Sequence, residues 1–194
     1  MNLAVWLERI AAAEGARPAL IAGTELVADY ARFRTQAAAL GAALIAEGIG
    51  PGDRVALFMM NIPEYLIAEY AVWYAGAAVV PINAKLHGRE AAWIIENSGA
   101  ALAFATPDLA PSLAEAGVGC EVVVAPSADY AAMLEATPMA EPVARAGEDL
   151  AWLFYTSGTT GKPKGVMMTH GMLQAMALSY FADADEVRGE DAAL

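Results

Sequence analysis

The sequence predicts an α/β fold in which helices flank a layered, mainly parallel sheet, with a β-hairpin near the N-terminus. Short apolar runs of strand length alternate with helical patterns from Arg54 to Ala136, as in α/β proteins with a parallel sheet. The run "RVALFMM" at 54–60 lacks polar alternation, which is typical of a strand buried on both faces. Apolar residues make up 58% of the chain and charged residues 18%, which excludes a disordered protein.

The first elements are predicted from turn and cap residues. The segment "PALIAGTELVADY" at 18–30 predicts two strands around Gly23-Thr24, and Asp29 is placed to cap the next helix. That helix carries apolar residues at helical spacing, and "EGIGPGD" at 47–53 ends it.

The next helix is predicted over 61–76, with Asn61 as its cap, Pro63 in its first turn and Gly76 at its end. Further strands are predicted at 78–82, 101–105 and 121–125, and further helices at 88–99 and 127–136.

A loop is predicted at 137–149, because this segment has two prolines, mixed charge and no hydrophobic period. It is the best candidate for an internal domain boundary. A strand at 150–155, a short apolar run at 165–169 and a helix from about Thr169 to Phe181 are expected after it.

Charge and composition exclude several classes of partner. The net charge is −12, with 11 Lys and Arg against 23 Asp and Glu, so we expect no binding to nucleic acid or to anionic membrane surfaces. The longest apolar run, at 70–82, is too short to span a bilayer. Cys120 is the only cysteine, which fits a reducing, cytoplasmic location.

One stretch, "YTSGTTGKPKG" at 155–165, concentrates hydroxyl groups, glycines and lysines directly after the apolar run "LAWLF". Ligands of open α/β sheets bind beyond the carboxyl ends of the strands, where such a loop would lie. Glycines permit close backbone approach and positive φ, so that N–H groups can converge on an anion. The stretch therefore predicts a polyphosphate-binding loop. Its glycines are Gly158, Gly161 and Gly165, its hydroxyl donors are Thr156, Ser157, Thr159 and Thr160, and its cations are Lys162 and Lys164.

Two better-known phosphate loops do not match. The Walker pattern needs four residues between its glycines and a hydroxyl residue after its lysine, whereas here two residues intervene and Pro163 follows Lys162. The dinucleotide pattern G-x-G-x-x-G is also missing from the stretch. On composition alone, a flexible surface loop is the alternative.

The longer segment "YTSGTTGKPKGVMMTH" closely resembles the phosphate-binding signature of the adenylate-forming superfamily, especially its acyl-CoA and aryl-CoA ligase branch. The segments "GIGPGDRVALFMMNIPEYLIAEYAVWYAGAAVVPIN" and "IIENSGAALAFA" are similar to this family as well. The resemblance covers most of the chain. It implies that residues 1–194 are a partial N-terminal, AMP-binding domain.

The resemblance implies a two-step reaction that uses ATP, Mg²⁺ and CoA. A carboxylate attacks the α-phosphate of ATP, pyrophosphate leaves, and the CoA thiol then displaces AMP. In this scheme Thr156 helps to hold Mg²⁺, and Lys164 is the catalytic residue that neutralises pyrophosphate; Lys162 lies at a more variable position. The phosphate-contacting set would be Thr156, Ser157, Gly158, Thr159, Thr160, Gly161, Lys162 and Lys164.

Other family segments are missing from the chain. The resemblance leads us to expect a Gly-x-Thr-Glu segment after the loop, a Thr-Gly-Asp segment and a C-terminal domain with a catalytic lysine. The Gly-Thr-Glu within "AGTEL" at 22–26 lies far upstream and is predicted to be a hairpin turn. We therefore expect a fragment of an acid–thiol ligase that is inactive by itself.

Two other functions remain open at this stage. The chain could be a non-catalytic binding module, or part of an adenylation enzyme that loads a carrier protein instead of CoA. The acid is not indicated, although the resemblance suggests fatty acid metabolism. The expected partners are a small carboxylic acid, ATP and CoA. The chain could also form a homodimer.

Several isolated residues have both a functional and a structural interpretation. His87 and Glu90 could form part of a metal site or cap a helix. His170 could lie near the ligand, with Thr169 as the helix cap. Aromatic residues could line an acyl pocket or lie in the core, and Cys120 is expected to be a small buried hydrophobe. The aromatic residues in question are Trp73, Tyr74 and Trp93.

Overall fold

A computed structural model describes residues 1–156, 163–183, 188 and 191. Within them, no helix has both the length and the apolar character needed to cross a membrane. The helices are α1 (Ala4–Glu14), α2 (Tyr30–Ala46), α3 (Pro63–Tyr74), α4 (Gly88–Ser98), α5 (Ala110–Ala116), α6 (Ala128–Met133) and α7 (His170–Asp183). The strands are β1 (Pro18–Ala22), β2 (Glu25–Asp29), β3 (Arg54–Phe58), β4 (Ala78–Pro81), β5 (Leu102–Ala105), β6 (Glu121–Val124), β7 (Leu150–Thr156) and β8 (Lys164–Thr169).

Within the described part of the chain, the main sheet has six strands in the order β6-β5-β3-β4-β7-β8. Every neighbouring pair is parallel except β7 and β8, which are antiparallel. Strands β1 and β2 form a separate antiparallel hairpin. The predicted fold, a mainly parallel sheet flanked by helices with an N-terminal hairpin, is confirmed.

The central strand β3 is buried on both faces. Val55 and Leu57 belong to one hydrophobic core, whereas Ala56 and Phe58 belong to another, and all four side chains are fully buried. Successive side chains of a strand point to opposite faces, so a continuous apolar run must be covered on both sides. This explains why "RVALF" shows no polar alternation.

Two layers of helices cover the sheet. The first core contains buried residues of α1, α2, α3, α6 and α7 together with the N-terminal hairpin. The second core contains buried residues of α4 and α5. Gly41 of α2 permits an especially close contact with α3, because a Cβ at this position would lie 2.7 Å from Tyr74 Cβ and 3.1 Å from the Ala71 oxygen.

Most helix ends follow the sequence signals. Asp29 caps α2 by accepting a hydrogen bond from Arg32 N–H at 2.8 Å, and Gly99 ends α4 in the left-handed conformation. The turn between β1 and β2 contains Gly23 at φ 61°, so the predicted hairpin turn is confirmed.

The predicted cap of α3 is wrong. The helix begins at Pro63, so Ile62 occupies the cap position, and no side chain caps it. Ile62 is extended, with φ −126° and ψ 162°. A residue before proline is disfavoured in the helical region, and this moves the cap from Asn61 to Ile62.

The loop between α6 and β7, residues 137–149, packs on α2 and α3. Arg34 donates to the carbonyl oxygens of Met139 and Ala140, both at 2.9 Å. Val143 N–H donates to the Tyr74 oxygen at 2.9 Å. These contacts attach the loop to the helical layer, and the proposed domain boundary in it stays a prediction.

The β8 end of the sheet is the more exposed one. No residue of β8 is buried, and large apolar side chains of β7, β8 and α7 are 44–66% exposed. Among them are Phe154, Val166, Met167, Met172, Met176, Leu178, Tyr180 and Phe181. The end of the chain that carries the predicted phosphate loop is therefore the less covered part of the fold.

Glu69 is a carboxylic acid within the α3 layer and is only 7% exposed. Burial raises the pKa of its carboxyl group from 4.5 to about 7. The folded chain therefore holds a proton at Glu69 that the unfolded chain releases above pH 4.5. The contribution of Glu69 to the free energy of unfolding is fully present below pH 4.5 and is lost as pH rises through about 7.

We expect Glu69→Gln to remove the loss of stability that Glu69 causes as pH rises, because glutamine does not ionise. A shift of this size corresponds to about 3 kcal/mol between pH 4 and pH 8, because one pKa unit is about 1.4 kcal/mol. Urea unfolding at several pH values measures it, with Glu115→Gln on the exposed face of α5 as the matched control. If the wild type and Glu69→Gln have parallel pH profiles, the interpretation is wrong.

We expect Gly41→Ala to lower the free energy of unfolding by about 1–3 kcal/mol, although alanine favours helices, because its Cβ overpacks the α2–α3 contact. Gly119→Ala is the control, since a Cβ there meets no described atom within 4 Å. Equal stability of the two variants in urea unfolding would show that the helices can move apart at no cost.

Candidate functional site

The predicted phosphate loop connects two paired strands. Tyr155 pairs with Gly165 and Thr156 pairs with Lys164 in the antiparallel register of β7 and β8. The hairpin mouth, defined here as Thr156 and Lys164, therefore brackets the loop segment. β7 runs parallel to β4, so Thr156 lies at the carboxyl end of a parallel strand, where open α/β sheets bind ligands.

Both residues of the hairpin mouth are exposed. Directly opposed residues of an antiparallel pair place their side chains on the same face of the sheet. The Thr156 hydroxyl and the Lys164 ammonium are thus on one face at the end of β7. Within the described residues of the hairpin, 150–156 and 163–169, Lys164 is the only charged side chain. This composition suits a polyanion.

The other predicted phosphate contacts lie outside the described residues. These are Ser157, Gly158, Thr159, Thr160, Gly161 and Lys162. The roles assigned to them by resemblance stay predictions, as do the metal role of Thr156 and the catalytic role of Lys164.

Gly165 has a different role from the one that the sequence suggested. It lies within β8, and it is not among the glycines with positive φ. A Cβ on Gly165 would lie 3.0 Å from Leu153 Cδ1 and 3.3 Å from Tyr155 Cζ. Side chains of β7 occupy the space beside Gly165, so the expectation of a positive φ is wrong.

Tyr155 connects the hairpin to α4. Its hydroxyl donates to Asn97 Oδ1 at 2.7 Å, and its ring meets the Trp93 ring edge-on, with centroids 6.1 Å apart and an interplanar angle of 88°. Sequence reasoning did not single out Tyr155 or Asn97. The spacing of Trp93 and Asn97 on α4, one helical turn apart, was the signal that one helical face could hold a β7 side chain.

The aromatic residues considered for an acyl pocket lie mainly in the core. Trp73 is 5% exposed and donates from Nε1 to the Ala151 oxygen at 3.0 Å. Tyr74 is fully buried and its hydroxyl donates to Glu8 at 2.5 Å. The structural interpretation is thus confirmed for these two, whereas Trp93 is half-buried against Tyr155.

His170 is a core residue at the start of α7. It is fully buried, its Nδ1 accepts from Leu3 N–H at 3.3 Å, and its backbone N–H donates to the Asp149 oxygen at 3.0 Å. Burial lowers the pKa of His170 to about 4, and the positive amino terminus and Arg145 add to this effect. Thr169 accepts from Met172 N–H at 3.2 Å, so its predicted capping role is confirmed.

The remaining candidates for metal binding have structural contacts. The Glu90 carboxylate accepts from His87 N–H at 3.0 Å at the start of α4, which supports the capping interpretation. The described part of the chain contains no group of three or more His, Cys, Asp or Glu that could hold a metal ion. Cys120 is half-buried, and burial raises the pKa of its thiol.

The hairpin mouth fits Mg²⁺ only as a phosphate-bound ion. Mg²⁺ in proteins commonly takes one or two carboxylates, several waters and substrate phosphates. Thr156 offers a single hydroxyl oxygen, and the described residues of the hairpin include no carboxylate. Any Mg²⁺ here would thus be held chiefly by phosphate and water, with Thr156 as one protein ligand.

Two surface clefts lie outside the hairpin mouth. One, of about 640 Å³, is lined by α4 and the segment before β6, including Cys120. The other, of about 600 Å³, is lined by β6, α6 and the end of α2. Neither includes Thr156 or Lys164 in its lining, so neither extends the hairpin mouth.

Comparison with known proteins supports one family. The family model described as AMP-binding enzyme matches residues 7–194. Feruloyl-CoA synthase from Amycolatopsis sp is 36% identical over 171 residues, which cover 88% of this chain and 33% of that protein. A long-chain-fatty-acid–CoA ligase, FadD13 from Mycobacterium tuberculosis, is 35% identical over 84% of this chain and 33% of its own length.

Solved structures agree with the sequence comparison. The N-terminal domain of FACL13 from Mycobacterium tuberculosis superimposes with a TM-score of 0.86 at 31% identity, covering 98% of this chain and 49% of that one. The chain spans about a third of the length of the curated relatives that it matches. It therefore belongs to the AMP-binding enzyme family, the adenylate-forming superfamily, and corresponds to the N-terminal part of its members.

Proposed function

We propose that this chain supplies the polyphosphate-binding hairpin of an ATP-dependent acid–CoA ligase. The observation that carries the proposal is the hairpin mouth, where an exposed lysine and an exposed hydroxyl share one face beyond a parallel strand. The names of the relatives, a feruloyl-CoA synthase and a long-chain-fatty-acid–CoA ligase, support the reaction class.

In the proposed first step, a carboxylate oxygen of the acid bonds to the α-phosphorus of ATP. The bond from that phosphorus to the bridging oxygen breaks, and pyrophosphate leaves with the electron pair. In the second step the CoA thiolate attacks the carbonyl carbon of the acyl-adenylate and AMP leaves. The first step places additional negative charge on pyrophosphate, so a fixed cation beside it lowers the barrier.

Lys164 is the proposed source of that positive charge. It stands at the start of β8, where pairing with Thr156 fixes its backbone, while its exposed side chain is free to reach a ligand. Lysine acts on phosphate as a compact point charge on a flexible stem. Thr156 is proposed to hold phosphate-bound Mg²⁺ through its hydroxyl, and the residues from Ser157 to Lys162 to complete the phosphate contacts.

The identity of the acid is left to experiment. The relatives include enzymes named for an aromatic acid and for long-chain fatty acids. The acceptor in the second step is proposed to be CoA. A carrier-protein acceptor or a non-catalytic binding role would appear as different outcomes of the same assays.

We expect the whole protein that carries this chain to exchange pyrophosphate into ATP only when its acid is present. A panel of aromatic and fatty acids measures this, followed by assay of thioester formation with CoA. Exchange without a CoA thioester would favour a carrier-protein acceptor. No exchange with any acid would contradict the ligase function and favour a binding module.

We expect Lys164→Ala in that protein to slow adenylation about 100-fold, the size of effect seen when a charge-stabilising group is removed, and Lys164→Arg to slow it less. Thioester formation from preformed acyl-adenylate should change little, because pyrophosphate has left by then. Arg9→Ala, which removes an exposed charge of α1, is the control. Equal losses in both half-reactions would contradict the pyrophosphate role.

A further inference from the structure

Tyr155 of β7 contacts two other elements, the helix α4 and the strand β8. It precedes Thr156 on β7, its hydroxyl donates to Asn97 Oδ1 of α4 at 2.7 Å, and its ring packs edge-on against Trp93. It also pairs in register with Gly165 of β8. One side chain therefore links both strands of the hairpin to a helix of the second core.

The Tyr155 ring lies close to β8 at Gly165, where there is no side chain to hold it away. A Cβ at this position would lie 3.3 Å from Tyr155 Cζ and 3.5 Å from the Tyr155 hydroxyl oxygen. A residue with a Cβ at 165 would therefore press on the ring, and one of the two would have to shift by a few tenths of an ångström. The ring rests beside the bare backbone of β8, one residue from Lys164.

The hydrogen bond of the Tyr155 hydroxyl contributes little to the free energy of unfolding. Asn97 is exposed and Tyr155 is half-buried, so water can replace either partner of their hydrogen bond. The position of the bond matters more than its strength. It connects α4 to Tyr155, which is next to Thr156 in the chain and pairs with Gly165, next to Lys164.

We propose that Tyr155, held by Asn97 and Trp93, is a positioning residue that fixes the hairpin mouth relative to α4 and so sets its affinity for pyrophosphate. This inference rests on the proposed function. Alternation along β7 places the Tyr155 side chain on the face opposite to Thr156, so it acts through the backbone and does not contact phosphate. A hairpin that is already ordered spends less free energy on ordering when it binds.

Titration calorimetry of the whole protein that carries this chain with Mg²⁺–pyrophosphate tests the inference. We expect Tyr155→Phe and Asn97→Ala each to weaken binding roughly two- to tenfold, the effect of one lost hydrogen bond. The double variant should bind no more weakly than the single variants, because both remove the same bond. Asn97→Gln, which keeps an uncharged amide, should restore most of the affinity.

Thermal unfolding of the same variants separates positioning from stability. The melting temperatures should fall by no more than about 2 °C, because the bond is exposed to water. Tyr130→Phe is the matched control: its buried hydroxyl has no hydrogen-bond partner in the described part of the chain, and it lies on α6, away from the hairpin. This variant should bind pyrophosphate as the wild type does.

The possible results distinguish the two proposals. A whole wild-type protein that binds no Mg²⁺–pyrophosphate would contradict the proposed function, and the positioning role with it. Binding by the wild type with unchanged affinity in Tyr155→Phe and Asn97→Ala would overturn the positioning role alone. Additive losses in the double variant, or losses that follow the melting temperature, would also overturn it.

Discussion

The burial of the central strands on both faces is the constraint on which the rest of the structure depends. Val55 and Leu57 project into one core and Ala56 and Phe58 into the other, so neither face of β3 can remain in water. Parallel neighbours must then be joined by crossover helices, which supply the required cover on both sides. The carboxyl ends of β3, β4, β5 and β7 consequently lie along one edge of the sheet.

The candidate site lies where the strand pairing changes from parallel to antiparallel. After β7 the chain pairs antiparallel as β8, and among the described strands of the main sheet this is the only antiparallel pair. The two strand ends that flank residues 157–162 therefore both lie at the edge of the sheet where open α/β sheets bind ligands. The Thr156 hydroxyl and the Lys164 ammonium therefore lie on one face of the sheet, although the loop segment separates the two residues in sequence.

Residues at the start of the chain form hydrogen bonds that stabilise the position of α7, the helix that follows the β7–β8 hairpin. The Asn2 amide donates to the Trp73 oxygen at 2.6 Å and to the Val143 oxygen at 2.8 Å, and Leu3 N–H donates to His170. Through these bonds α1, the end of α3, the loop before β7 and the start of α7 form one packed unit. His170 must be neutral, because its unprotonated Nδ1 accepts a hydrogen bond from Leu3 N–H, and this agrees with its lowered pKa.

The sequence by itself determined the order of elements, the two-sided burial of the sheet, the hairpin turn at Gly23 and the position of the hydroxyl- and lysine-rich motif. These follow from local signals such as apolar runs, caps and glycines, which act over a few residues. It also located Thr156 and Lys164, but not the pairing that opposes them. Tertiary structure alone decided the strand conformation of Gly165, the burial of His170 beside Leu3 and the link from Tyr155 to Asn97. The cap at Ile62 has a local cause, the steric demand of the following proline. Residues 3 and 170, or 97 and 155, meet only after the sheet has formed, and no pattern of neighbouring residues records such a contact.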